Sequence, residues 1–390
     1  MVAMVRRGTP LRQIAEDFRV APSTVLFWVQ RAGTARLDRV EWTDRPRGPR
    51  TPANRYPRAV EDVVLHVRGE LKGRSDLGEF GAQAIHAALQ ARGVEGLPSV
   101  RTIGRILDRR GALDGRYRVR RPAPPPGWYL PDLAAAAAEL DSFDIIEGLV
   151  IRGGAAVEVL TGLSLHGGLG AAWPRAAITA PVVVDTLIAY WREVGLPTYA
   201  QFDNDPCFQG AHVHPDTLGQ VPRLCLSLGV VPVFVPPRES GFQAAIENFN
   251  GRWQAKVWAR FEHNCRPGVQ RQSAKYIAAS RRKAAARIES APPRRPFPAR
   301  WRYEPRRYPQ GRLIFLRRTT DDGAISLLGH TFPVDPTWCH RLVRAEVDLD
   351  AHAIRFHALR RREPSWQPLL GSVPYEFPHR SFRWSARAVR

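Results

Sequence analysis

The chain has 390 residues and a mass of 43.8 kDa, with 44% hydrophobic residues. That is enough for about two to four compact domains with real cores, and it excludes a wholly disordered protein. No apolar run approaches the ~18 residues of a membrane span, and no long apolar stretch follows Arg6-Arg7, so neither a membrane protein nor a secretory signal is expected. Four scattered cysteines without CxxC spacing fit a reducing cytoplasm rather than a disulfide scaffold. The net charge of +21 is unevenly placed. Residues 1–120 sum to +10, 121–250 to −7, 251–318 to +16 and 319–390 to +2. Basic flanks can neutralise phosphates, and an acidic centre between them repels nucleic acid unless cations intervene.

Along the chain, residues 9–32 place Leu11, Ile14, Ala15 and Phe18 at helical spacing. Pro22 and Ser23 then open a second helix, with Ser23 as its expected N-cap and Val25, Trp28 and Val29 turned toward the first. This is helix-turn-helix patterning, and Ser23, Thr24, Phe27, Gln30 and Arg31 are its expected DNA-facing positions. An arginine- and proline-rich linker covers 34–58. A second helical unit follows over 59–114, with Val60, Val63, Val64 and Val67 on one face and a helix from Val100 whose Arg101, Arg105 and Arg109 point outward. Those arginines either track phosphates or are simply solvated.

A stiff linker at 115–131 precedes alternating strands and helices from 139 to 262. The expected order is β-β-β-α-β-α-β-α, a mixed sheet with helices packed on it. Residues 264–316 are arginine-rich, helical to about Ile288 and linker-like from 289 to 316. Short strands with turn signals over 317–376 suggest a small β-barrel, followed by a tail at 377–390.

Three carboxylates stand out by position. Asp144 lies in the first strand, Asp203 ends the fourth in Gln201-Phe202-Asp203-Asn204-Asp205, and Glu247 lies in the last helix, six residues after Gly241. First and fourth strands of such a sheet are usually neighbours, so the three acids can converge. Converging acids need compensating cations, and oxygen ligands select Mg²⁺ or Mn²⁺, as two ions. Asp141 is the alternative to Asp144, and alternation puts the two on opposite faces of the strand. Arg252, Lys256 and Arg260 follow Glu247 on its helix and are read as phosphate contacts. Trp253 and Trp258 are read as core, and Glu147 and Asp185 as surface acids. Cys207, His212, His214 and Cys225 have a C-x4-H-x-H-x10-C spacing that matches no standard zinc finger.

These residues resemble the DDE transposases and retroviral-type integrases, close to bacterial insertion-sequence transposases with an integrase core. The resemblance covers roughly residues 10–262. Phe202-Asp203-Asn204-Asp205 is similar to the family's Asp-Asn-Gly motif, with Asp205 in place of the glycine. Gly241 and Ile246-Glu247-Asn248-Phe249-Asn250 are similar to its glutamate motif. The 43 residues between Asp203 and Glu247 exceed the family's usual gap, with the excess expected in the loop 209–220. The resemblance implies a multidomain α/β protein: helix-turn-helix units, a ribonuclease H-like mixed α/β catalytic core over 132–288, and a small C-terminal β-barrel. It implies a polynucleotidyl transferase that cuts DNA and joins the freed 3′-OH to target DNA, with Asp144, Asp203 and Glu247 as catalytic and metal-holding residues. The implied partners are the element's terminal repeats, target DNA and further copies of the chain, in the bacterial cytoplasm and nucleoid. The competing readings are a DNA-binding regulator without catalysis and a ribonuclease H-like metal nuclease.

Overall fold

The structure is a computed structural model that describes residues 1–44, 56–113, 125–210, 215–239 and 241–379. His212, His214, residues 45–55 and 114–124 of the two proline-rich linker regions, and residues 380–390 lie outside these. The chain divides into two compact units, Met1–Glu61 and Asp62–Arg390.

In the first unit, α1 (Val2–Arg6), α2 (Leu11–Asp17) and α3 (Pro22–Ala32) close on Ile14, Ala15 and Val25. The link between α2 and α3 spans four residues, Phe18 to Ala21, and turns through Arg19 at φ 51°. Arg6 Nη2 ties α1 to the end of α3 through the carbonyls of Gly33 (2.9 Å) and Ala35 (2.8 Å). Three sequence expectations change here. Ser23 is not the N-cap: the helix starts at Pro22, after Ala21, because proline's fixed φ suits the first helical position. Phe18 is half exposed. Trp28 turns away from α2 and packs on Trp42, with ring centroids 5.8 Å apart.

The second unit begins with a three-helix cluster. It comprises α4 (Arg58–Arg74), whose first residues fall in the other unit, α5 (Ala82–Ala91) and α6 (Val100–Arg109). Val64, Val67, Ile85, Leu89, Ile103, Ile106 and Leu107 form its core, while Val63, expected inward, is exposed. Ser99 caps α6 by accepting the Thr102 N–H at 3.2 Å. After α7 (Pro131–Ala134) come β1 (Leu140–Val150), β2 (Ala156–Ser164), β3 (Gly170–Arg175), α8 (Ala180–Val194) and β4 (Tyr199–Phe202). Then follow α9 (Pro206–Gln209), α10 (Gln220–Ser227), β5 (Val231–Phe234), α11 (Ala244–Trp253), α12 (Arg266–Lys283) and α13 (Ala285–Glu289). The strands β6 (Arg312–Arg318), β7 (Ala324–Leu327), β8 (His330–Pro333), β9 (Leu342–Asp348), β10 (Ala353–Leu359) and β11 (Leu369–Pro374) complete the chain.

Among the described residues nine strands form one mixed sheet in the order β11-β10-β9-β6-β5-β4-β1-β2-β3. β1, β2 and β3 are an antiparallel meander, β4, β5 and β6 run parallel to β1, and β9 to β11 return antiparallel. The mixed α/β body expected from the sequence is present. The separate C-terminal barrel is not: among the described residues β6 pairs in parallel with β5, so the C-terminal strands extend an open sheet, and β7 with β8 forms only a two-stranded ribbon. The linker expected at 289–316 is also shorter, because β6 takes up 312 onward and Arg295 bridges to Leu196 through both backbone groups (2.7 and 2.9 Å). The long loop after β4 is pinched at its base. A Cβ on Gly210 or Gly219 would meet the other's backbone at 2.7–2.8 Å, so both positions need glycine for this close approach ahead of α10.

Candidate active site at the ends of β1 and β4

β1 and β4 pair with Ser142 opposite Gln201. Asp144 and Asp203 each lie two residues past this last pair, on neighbouring parallel strands. Helix α11 lies across this end. Its Ile246, Phe249 and Trp253 bury against Ile146, Val157 and Val159 from β1 and β2. The approach is close enough that a Cβ on Gly170 would sit 2.9 Å from the Phe249 ring. Packing of these three residues leaves Glu247, in the first turn of α11, exposed on the side of the helix that carries Asn250 one turn later.

Asn250 indexes the helix onto the strand: its Nδ2 donates to Asp144 Oδ2 at 2.7 Å. The Asp144 carboxyl is pushed up to about 6. Burial is the main cause, and the negative charges of Asp203 and Glu247 add to it against the Ile145 N–H and Asn250. Asp203 is raised too, by burial and then by Asp205 and Glu147, while the Asp205 N–H at 3.0 Å opposes the shift. Asp205 sits at φ −60°, ψ 138° and caps α9 by accepting the Cys207 N–H at 2.7 Å. This extended backbone suits any residue, so no glycine is needed at position 205 for backbone freedom.

Asp141 is placed apart from this group. It is fully buried, accepts Trp191 Nε1–H at 3.0 Å, and forms a two-pronged ion pair with Arg294 at 2.9 and 2.6 Å. Its charge is already compensated. Glu147 and Asp185 are exposed, as read from the sequence, and the Glu147 charge adds to the upward push on Asp203. A register shift in β1 between Ile146 and Leu149, with Gly148 at φ 74°, marks a bulge that re-aims the strand there. The adjacent glycine was the one signal of it in the sequence.

The basic residues after Glu247 divide. Arg252 is exposed, its Nε only 3.4 Å from the Asn248 carbonyl. Lys256 does not face the acids. Helix α11 runs into a π-helical turn over Gln254–Trp258, and Lys256 Nζ donates to the Gly78 carbonyl at 2.8 Å and lies over the Phe80 ring. Arg260 likewise donates to the Ser75 carbonyl (2.5 Å) and to those of Lys72 and Gly73 at the end of α4. Arg260 thus satisfies orphan carbonyls at the end of α4, and Lys256 one in the loop beyond it, so the Lys256 ammonium expected at phosphates makes an intramolecular contact here.

The remaining positions are spread. Arg101 and Arg105 are exposed on α6. Ser23, Phe27 and Gln30 are exposed on α3, and Thr24 is half-buried. Arg31 is partly spoken for, donating to the Thr43 carbonyl at 2.5 Å and stacking on Trp28. Cys225 is buried in the core on α10, and burial pushes up both its thiol and that of Cys207, the latter to about 11.

Among the described residues no group of three or more His, Cys, Asp or Glu side chains is already gathered as a metal cage. The donor chemistry of Asp144, Asp203 and Glu247 nevertheless suits a hard dication. It offers carboxylate oxygens only, in mutual repulsion, beside the buried Asn250 Oδ1, which has no hydrogen-bond partner.

No family model matches the chain, and no curated protein matches it. Among solved structures it is similar to the simian T-cell lymphotropic virus intasome in complex with PP2A regulatory subunit B56 gamma. That match has 14% identity and a TM-score of 0.33, covering 69% of this chain and 87% of the other. The catalytic core of BIV integrase matches at 16% identity and a TM-score of 0.26, over 36% of this chain and 80% of that one. The HTLV-2 integrase core in complex with magnesium matches at 13% identity and a TM-score of 0.27, over 35% and 82%. What this chain does is therefore read from its own geometry.

Proposed function

We propose that the chain is a DDE-type transposase or integrase. The observation that carries this reading is the Asn250–Asp144 hydrogen bond, which ties the first strand to the helix one turn beyond Glu247; the Asp144 carboxyl is pushed up by burial first, with the charges of Asp203 and Glu247 adding to it. The β3-β2-β1-β4-β5 order, with β4 and β5 parallel to β1, supports a ribonuclease H-like core. Asp144 and Asp203 hold divalent cations, Mg²⁺ or Mn²⁺, from rigid strands, and Glu247 completes the set from the helix. When bound, such a cation supplies Lewis-acid activation of the scissile phosphate and the attacking oxygen. Asn250 orients the Asp144 carboxylate, and the Asp205 N–H orients that of Asp203. Water cuts one phosphodiester and frees a 3′-OH, which then attacks a target phosphate, exchanging one phosphodiester for another without a protein nucleophile.

In this reading α3 and α6 meet the element's terminal repeats. Ser23, Thr24, Phe27, Gln30 and Arg31 on α3, and Arg101 and Arg105 on α6, face the DNA, and Arg252 faces the phosphates near the cut. Copies of the chain act together on the paired ends. No helix among the described residues is long and apolar enough to cross a membrane.

The test is a strand-transfer assay with duplexes taken from the DNA flanking the gene. Wild type should cut and join with Mg²⁺ or Mn²⁺. Asp203→Asn and Glu247→Gln should each lose both steps by a large factor, and the double variant should lose little more, since residues acting as one unit are non-additive. Bandshift without cutting would sink the enzyme reading in favour of a regulator, and cutting without joining would favour a nuclease.

A further inference from the structure

The acids do not end the row of groups at this edge of the sheet. Asp203 follows Phe202, which pairs with Phe234 on β5, and Phe234 pairs with Phe315 on β6. Beyond these pairs stand Asp203, Val235 and, one further along β6, Arg317. Arg317 is only 8% exposed and points its guanidinium inward. Its Nη2 donates to Asn204 Oδ1 at 2.9 Å. Its Nη1 donates to the carbonyls of Val235 (3.1 Å) and Leu316 (2.9 Å), and its Nε to that of Ser326 (3.3 Å). Asn204 is clamped from its other end as well, with Nδ2 donating to the same Val235 carbonyl at 2.7 Å.

Two features of this arrangement are unusual. Among the described residues no carboxylate lies within ion-pair distance of Arg317, although buried charges are ordinarily paired. And, among the described residues, the side chain to which it donates a hydrogen bond belongs to the residue directly after Asp203. A planar fork with fixed donors suits holding a short turn in one orientation, which a flexible ammonium does not.

Building on the proposed role of Asp203, we infer that Arg317 is a positioning residue for the candidate active site. Acting through Asn204, it holds the Asp203-Asn204-Asp205 turn so that the Asp203 carboxylate faces Asp144. The C-terminal strands are then a working part of the catalytic centre and not an appended module.

The experiment uses the full chain and Mn²⁺ titration by calorimetry, with strand cleavage at rising Mn²⁺ as a second readout. Arg317→Lys keeps a cation but loses the fork, and Asn204→Ala removes the clamped side chain while leaving Arg317 in place. Each should weaken Mn²⁺ binding about tenfold, with cleavage recovering at high Mn²⁺. The double variant should be no worse than either single variant, because both break one link. A merely structural Arg317 would lower the melting temperature and leave Mn²⁺ affinity unmoved, which would overturn the inference. Should Arg317→Lys not fold, Asn204→Ala decides alone by the same criterion. Asp203→Asn separates the two claims. If it abolishes Mn²⁺ binding while Arg317→Lys and Asn204→Ala do not change it, only the Arg317 inference falls. If Asp203→Asn also leaves binding intact, the metal-site reading falls and the inference with it.

Discussion

Asp141 and Asp144 are three residues apart on one strand and live in opposite electrostatic worlds. Asp141 is matched by Arg294 in a buried pair, so Asp141→Asn leaves a buried guanidinium without its counter-charge. It should cost about 3–5 kcal/mol of stability, read as a large fall in urea midpoint. Asp144 is the reverse case. Its carboxyl sits at about 6 instead of near 3.8, so the folded chain binds the proton more tightly than the unfolded one. In that case stability without metal falls as pH rises from about 4 to 6, and ionised Asp144 is a liability at neutral pH. Asp144→Asn should therefore stabilise the cation-free protein at pH 7 by up to about 2–3 kcal/mol, with the gain vanishing near pH 4, while strand cleavage is lost. Melting curves with chelator at the two pH values check this. Equal destabilisation by both variants would remove the distinction.

At the scale of elements, helix α11 carries most of the geometry. Gly170→Ala should push on the Phe249 ring, cost about 1–3 kcal/mol and lower cleavage more than DNA binding, because it shifts the helix that presents Glu247. Much of this level was legible in the sequence. The strands around Asp144 and Asp203 alternate or run apolar, and the Glu247 helix has clean spacing of Ile246, Phe249 and Trp253. What was not legible is long-range partner choice. Nothing local marks Arg294 as the partner of Asp141 across 153 positions, or Lys256 and Arg260 as ligands of carbonyls more than 170 residues away. A cation's sequence neighbours advertise charge but not the acceptor it will meet. β6 was hidden in an arginine- and proline-rich stretch, because parallel pairing with β5 is decided by the partner strand and not by a hairpin turn.

For the molecule as a whole, the charge pattern separates recognition from plain attraction. Removing residues 1–44 deletes α1 to α3 and leaves the strongly basic 251–318 segment, at +16, in place. Specific binding to element ends should disappear. Residual DNA affinity should remain at low salt and fall steeply with salt concentration, as counterion release requires. Filter binding across a salt series reads both, and complete loss of affinity at low salt would contradict the role given to the basic segment.

The π-helical turn after α11 has a further consequence. Lys256 and Arg260 bolt the helix that carries Glu247 to the end of α4 and the loop after it, and Lys283 and Arg282 add ion pairs to Glu79 and Asp76 close by. The α4–α6 cluster is thus fixed to the same helix that carries Glu247. If α6 grips DNA, the span from grip to cut is a ruler made of protein, and the break falls at a set number of base pairs from the gripped site. Inserting one base pair between the two should move the cut within the DNA sequence and leave the measured distance unchanged. Loosening the bolt with Lys256→Ala and Arg260→Ala should scatter the cut over neighbouring positions.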